Sequence, residues 1–114
     1  MLLLWLAPDA AAQVSTVSSI AEIRQLSPEE AAEGRPVRVR GVVTYHEPAW
    51  YLSFVQDASG GIYIANISAK LRAGELVEIT GVTGPGGGAG RIITGLNNTA
   101  PSVRVLGTAP FPRP

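Results

Sequence analysis

Cysteine is absent from the 114-residue chain, so no disulfide, thiolate metal site or thiol nucleophile is available to it. An excess of one charge is lacking too. Nine basic residues offset nine acidic ones, and no overall field draws the chain onto nucleic acid or an anionic membrane. Any recognition has to be local. There is one histidine, His46, and it has no recognisable nucleophile context, which excludes a Ser-His-Asp arrangement. No apolar run approaches the ~20 residues of a membrane span. Hydrophobic residues nevertheless make up 46% of the sequence, and a domain of about a hundred residues buries roughly two thirds of its unfolded surface. That is enough for one core, and a second full domain does not fit.

The two ends differ from the middle. The apolar residues Leu2, Leu3, Leu4, Trp5 and Leu6 precede Ala10 and Ala12, which satisfy the A-x-A cleavage pattern of exported proteins. Residues 1–12 are therefore expected to be the remnant of a signal peptide, with a mature chain starting near Gln13 and a periplasmic or other extracytoplasmic destination. At the other end, Pro110, Pro112 and Pro114 alternate so tightly that neither helix nor central strand can form. Residues 108–114 are expected to be a linker to further polypeptide.

Two helix starts lie in the lead-in, residues 13–35. Ser19 and Glu22 have capping-box spacing, with Ile20, Ile23 and Leu26 at helical intervals behind them. Ser27-Pro28-Glu29-Glu30 repeats the signal, and Gly34 stops it. From Pro36 the apolar period becomes two. Val37, Val39, Val43 and Tyr45 share one side of a first strand, with Gly41 in step, and Arg38, Arg40 and Thr44 share the other. Further strands are expected from Tyr51 to Asp57, Gly61 to Ala65, Leu76 to Thr83 and Arg91 to Leu96. Ser102 to Leu106 is a final extension. A tight hairpin joins the second and third strands through Asp57, whose carboxylate is expected to accept backbone N–H bonds. A helical turn is expected around Ser68 to Leu71. Gly41 and Gly81 sit mid-strand at equivalent places, where glycine serves a sharp bend or a close approach.

These features predict an all-β fold with a little helix: a five-stranded Greek-key barrel spanning residues 36–107. The runs Val39-Arg40-Gly41-Val42-Val43, Phe54-Val55-Gln56-Asp57 through Tyr63, and Leu71-Arg72-Ala73-Gly74 through Gly81 resemble the OB-fold. More narrowly, Ile23 to Ala32 leading into Pro36 to Tyr45 and Pro48-Ala49-Trp50 resembles OB-like modules in the extracytoplasmic part of bacterial membrane-bound sensor histidine kinases. That resemblance implies a sensory role, with any kinase activity in a separate domain.

The candidate binding residues are Tyr45, His46, Trp50, Tyr51, Phe54, Tyr63 and Arg91. Three of the seven aromatics and the histidine crowd the segment between the first two strands, while Phe54 and Tyr63 lie on the strands whose outer face binds ligands in OB-folds. Flat aromatic faces stack on bases, sugars or side chains, so stacking alone does not choose the ligand. Packing of Tyr45 and Phe54 inside the barrel and of Trp50 on the lead-in is the structural alternative. Gly84, Gly86, Gly87, Gly88 and Gly90 form a flexible rim loop. It lacks the Gly-Lys-Ser/Thr and the following helix of a phosphate cradle. His46 and Glu47 are adjacent on a strand and point to opposite faces, so no metal site is expected. Arg40 is expected to pair across strands with Glu78, and a continuous basic track is missing. No catalysis and no cofactor are expected. The leading expectation is a non-catalytic module that binds an unknown ligand or an adjacent domain; the alternatives are a single-stranded nucleic-acid binder, disfavoured by neutral charge, and a structural spacer.

Overall fold

A computed structural model describes residues 15–47, 49, 52–65, 70–86, 91–96 and 99–111. The expected signal remnant, Trp50, Tyr51, Gly87, Gly88 and Gly90, and the first half of the expected turn at Ser68 to Leu71 lie outside the described residues. The element order is α1 (Ile20–Arg24), α2 (Pro28–Ala32), β1 (Pro36–Glu47), β2 (Leu52–Asp57), β3 (Gly60–Ala65), β4 (Glu75–Gly84), β5 (Ile92–Thr94) and β6 (Ser102–Thr108). The sheet runs β1-β2-β3-β5-β4, and β4 returns to pair with β1. The first five strands therefore close into an all-β barrel of the OB type, and β6 is an additional strand on β4.

Closure depends on one strand serving two neighbours. The first half of β1, Pro36 to Val42, pairs with β4, and its second half, from Val42 onward, pairs with β2. At the handover a Cβ on Gly41 would lie 2.8 Å from the Gln56 carbonyl oxygen, closer than real side chains allow. Gly81 is the counterpart on β4, where a Cβ would run into the Thr94 carbonyl oxygen of the β5 end. Both mid-strand glycines are thus sites of close backbone approach.

The interior is almost wholly β-branched. Val37, Val39, Val43, Val55, Ile62, Ile64, Val77, Ile79 and Ile93 are buried together, each side chain contributing about 1.5–3 kcal/mol relative to exposure. The lead-in closes one end of this core with Ile20 and Ile23. Ser19 caps α1 through its hydroxyl, and Ser27 and Glu30 form a reciprocal capping box on α2, with Pro28 in the first turn. The Ser27 N–H beside Glu30 holds that carboxyl below its ordinary range. Five-residue helices are not stable on their own. They are tied down instead by distant groups: Asp57 Oδ2 accepts from the Ile20 N–H at 3.0 Å, and the buried Thr83 hydroxyl donates to the Ala31 carbonyl at 2.8 Å.

Several boundaries differ from expectation. Lys70 and Leu71 carry no helix, and Leu71 is buried in the core. β5 is only three residues long, because Gly95 begins a turn closed by its N–H to the Thr99 carbonyl. Beyond Pro101 the chain pairs with β4 again as β6, which runs to Thr108, and the Ala109 N–H still donates to the Gly74 carbonyl. The expected linker, residues 108–114, thus overlaps the end of β6 at Thr108, and its last three residues lie outside the described ones.

Candidate functional site

The face over β1, β2 and β3 is set by a break in strand phase. Val43 stands opposite Val55, both buried, but the register then shifts and Tyr45 stands opposite Phe54. One extra residue, Thr44, moves every later side chain of β1 to the other face. Tyr45 is therefore not on the interior side with Val37 and Val39, as simple alternation implies. It is 48% exposed on the outer face. On β2, Ser53 and Val55 point inward, and on β3 Ile62 and Ile64 do so, which leaves Phe54 and Tyr63 outside and directly opposite each other.

Tyr45, Phe54 and Tyr63 thus form a row across three adjacent strands. The Phe54 and Tyr63 rings meet edge to face, with centroids 4.8 Å apart and planes at 70°, a geometry that contributes about 0.5–1.5 kcal/mol beyond burial. Phe54 also covers Gly61: a Cβ there would come within 2.6 Å of its ring. Glycine at that position lets the ring lie down on the sheet, so Phe54 is half-buried while Tyr45 projects.

His46 follows the same shift in the opposite sense. It stands opposite the buried Ser53, and its Nδ1 is 2.7 Å from the Ser53 hydroxyl. Its Nε2 is buried with no hydrogen-bond partner among the described residues. His46 is therefore not on the aromatic face, and its partner is a hydroxyl in the barrel end. No group of three His, Asp or Glu side chains that could hold a metal occurs among the described residues.

Arg91 is also absent from the row. Its Nε donates to the Leu26 carbonyl at 2.7 Å, so the guanidinium fastens the β4–β5 connection to the lead-in. Of the rim glycines, Gly84 ends β4 and Gly86 has a left-handed φ of 72°. The strand directions place this connection at the end closed by the lead-in, and the β1–β2 loop at the opposite end. The row lies between them.

Among the described residues, hollows also lie elsewhere. One of 860 Å³ is lined by Ser15, Glu22, Gln25, Glu30, Glu33 and Arg35 among others, where Arg35 already pairs with Glu33 at 3.0 Å. One of 430 Å³ lies between the Thr16–Ser18 segment and Arg38, Thr80 and Gly81.

The face over β1, β4 and β6 carries the expected Arg40–Glu78 contact, Nε to Oε2 at 3.2 Å. Arg104 of β6 adds a second at 2.7 Å. Arg104 first and Arg40 second hold the Glu78 carboxyl below its ordinary range. This third partner was not foreseen, although the alternation Ser102-Val103-Arg104-Val105 was a signal that could have exposed it. No protein-family model and no curated protein matches this chain.

Proposed function

We propose that the chain is a non-catalytic, extracytoplasmic OB-fold module that binds a ligand or a neighbouring domain through the outer face of β2 and β3, and that it serves the sensory part of a bacterial signalling protein. The observation that carries this reading is the row Tyr45–Phe54–Tyr63 on the outside of a closed barrel, between its two loop-bearing ends. A barrel needing those rings for its core would hold them inside. Here aliphatic side chains fill the interior, and the Tyr45 ring is left to water. Three rings in a row offer stacking surface worth about 1–3 kcal/mol per planar group bound. Occupancy of this face changes how the barrel sits against the next domain, and the proline-rich end of the chain transmits the change. Such transmission requires that the ligand bind the two arrangements unequally.

The test is a nuclear magnetic resonance titration of the 114-residue chain with a panel of oligosaccharides and with single-stranded oligothymidylate at low salt. Shifts clustered at Tyr45, Phe54 and Tyr63 on saccharide addition, abolished by Tyr45→Ala with Tyr63→Ala, are the expected result. A response to the oligonucleotide alone, weakening steeply with salt, transfers the face to nucleic-acid binding. A double variant that only lowers stability, with no probe moving the row, overturns the proposal in favour of a spacer.

A further inference from the structure

Of the five large apolar side chains exposed among the described residues, Leu96, Val105, Leu106 and Phe111 lie in β6 or close to it, and only Tyr45 belongs to the aromatic row. Among the described residues β6 hydrogen-bonds to β4 alone and is the last strand of the sheet, so its other edge presents backbone N–H and C=O groups that no described strand pairs. An edge with both open backbone groups and apolar side chains is a template for another strand.

The charges on this edge select what the added strand carries. Val103 and Val105 stand opposite Ile79 and Val77 on the core side, and Arg104 stands opposite Glu78 on the outer side. Glu78 already serves two guanidinium groups, those of Arg40 and Arg104. Arg38, one row away opposite Thr80, has no ion pair among the described residues. The outer surface of β1, β4 and β6 thus holds three arginines against one glutamate. We infer that the free edge of β6 takes up a short extended segment of a partner protein in which acidic residues alternate with apolar ones. The acidic side chains fall beside Arg104, and the apolar ones continue the layer of Val103 and Val105. A second copy of this chain is a poorer occupant. Antiparallel self-pairing that keeps the core sides aligned sets Arg104 against its symmetry mate or diagonal to it, and doubles the surplus positive charge. Pro101 ends the edge on one side and the register shift around Leu106 on the other, so the segment is short.

The experiment uses two blocked seven-residue peptides, one alternating glutamate with valine and one alternating lysine with valine. Each is titrated into the 114-residue chain and followed through the amide resonances of Ser102 to Leu106. The glutamate peptide is expected to bind about three- to tenfold more tightly than the lysine peptide and to slow amide exchange along the free edge of β6. Arg104→Glu, a change at an exposed position, is expected to reverse that preference. Equal binding of the two peptides, shifts confined to the aromatic row, or no response at β6 overturns the inference. So does a concentration-dependent dimer that protects the β6 amides without peptide, which identifies the second copy as occupant.

Discussion

Replacing Gly41 by alanine isolates the geometry that closes the barrel. In the middle of a strand, alanine is ordinarily favoured over glycine by about 0.5–1 kcal/mol, because the unfolded chain has less freedom to lose. Against this, the new methyl would sit 2.8 Å from the Gln56 carbonyl oxygen and 3.2 Å from its carbon, where ordinary contact begins at 3.4 Å. Neither atom belongs to a side chain that can swing aside. Both lie in the β1–β2 ladder, with Val42 opposite Gln56. Relieving such an overlap costs about 1–3 kcal/mol. The net expectation is a loss of about 1–2 kcal/mol. Gly60→Ala is the control, since its methyl would meet nothing nearer than the Ile20 side chain at 3.8 Å, and it is expected to leave stability unchanged or raise it by about 0.5 kcal/mol. Urea denaturation of the three proteins side by side measures the difference, visible also as a lower melting temperature of about 4 °C per kcal/mol. If Gly41→Ala matches the wild type within about 0.5 kcal/mol, or proves no worse than Gly60→Ala, the close approach does not constrain closure.

Three further outcomes are expected. Asp57 accepts from the Ser59 and Gly60 N–H groups and the Ser59 hydroxyl through Oδ1, and from the Ile20 N–H through Oδ2, so Asp57→Ala should cost about 2–4 kcal/mol and accelerate hydrogen exchange at Ile20 before that of the barrel core. Thr83→Val leaves the Ala31 carbonyl and the Arg35 N–H without their shared hydroxyl partner and should cost about 2–4 kcal/mol, whereas Thr83→Ser should be milder; calorimetry compares them. Arg104 and then Arg40 lower the Glu78 carboxyl from its usual value of 4.5, so their stabilising effect is present above that value and is lost as the pH falls through the lowered one. Arg104→Ala should raise the titration midpoint of Glu78, read by carbon-detected resonance, and high salt should do likewise.

The closed barrel was legible because its constraints are local. Gly41 and Gly81, the hairpin at Asp57 and the two capped helices each carry a short-range steric or hydrogen-bonding reason that spacing alone exposes. The placement of the site was less so. A count of alternation assigns Tyr45 to the interior with Val37, and only the single-residue shift after Val43 turns it outward; no residue type at Thr44 announces that bulge. Arg91 borders the glycine loop in sequence, but its side chain answers to Leu26, 65 residues earlier, a pairing fixed by tertiary structure. β6 was visible as an extension, while its role as an open edge depends on which strand it pairs with and which it avoids.

The lead-in has a consequence for the order of assembly. The first helix is pinned by a carboxylate 37 positions downstream and the second by a hydroxyl 52 positions downstream. As the chain emerges from a ribosome, these two helices wait without partners until those anchors arrive. The two lead-in helices are thus among the last parts to settle, and variants that slow closure of the cylinder should leave them open to proteases for correspondingly longer.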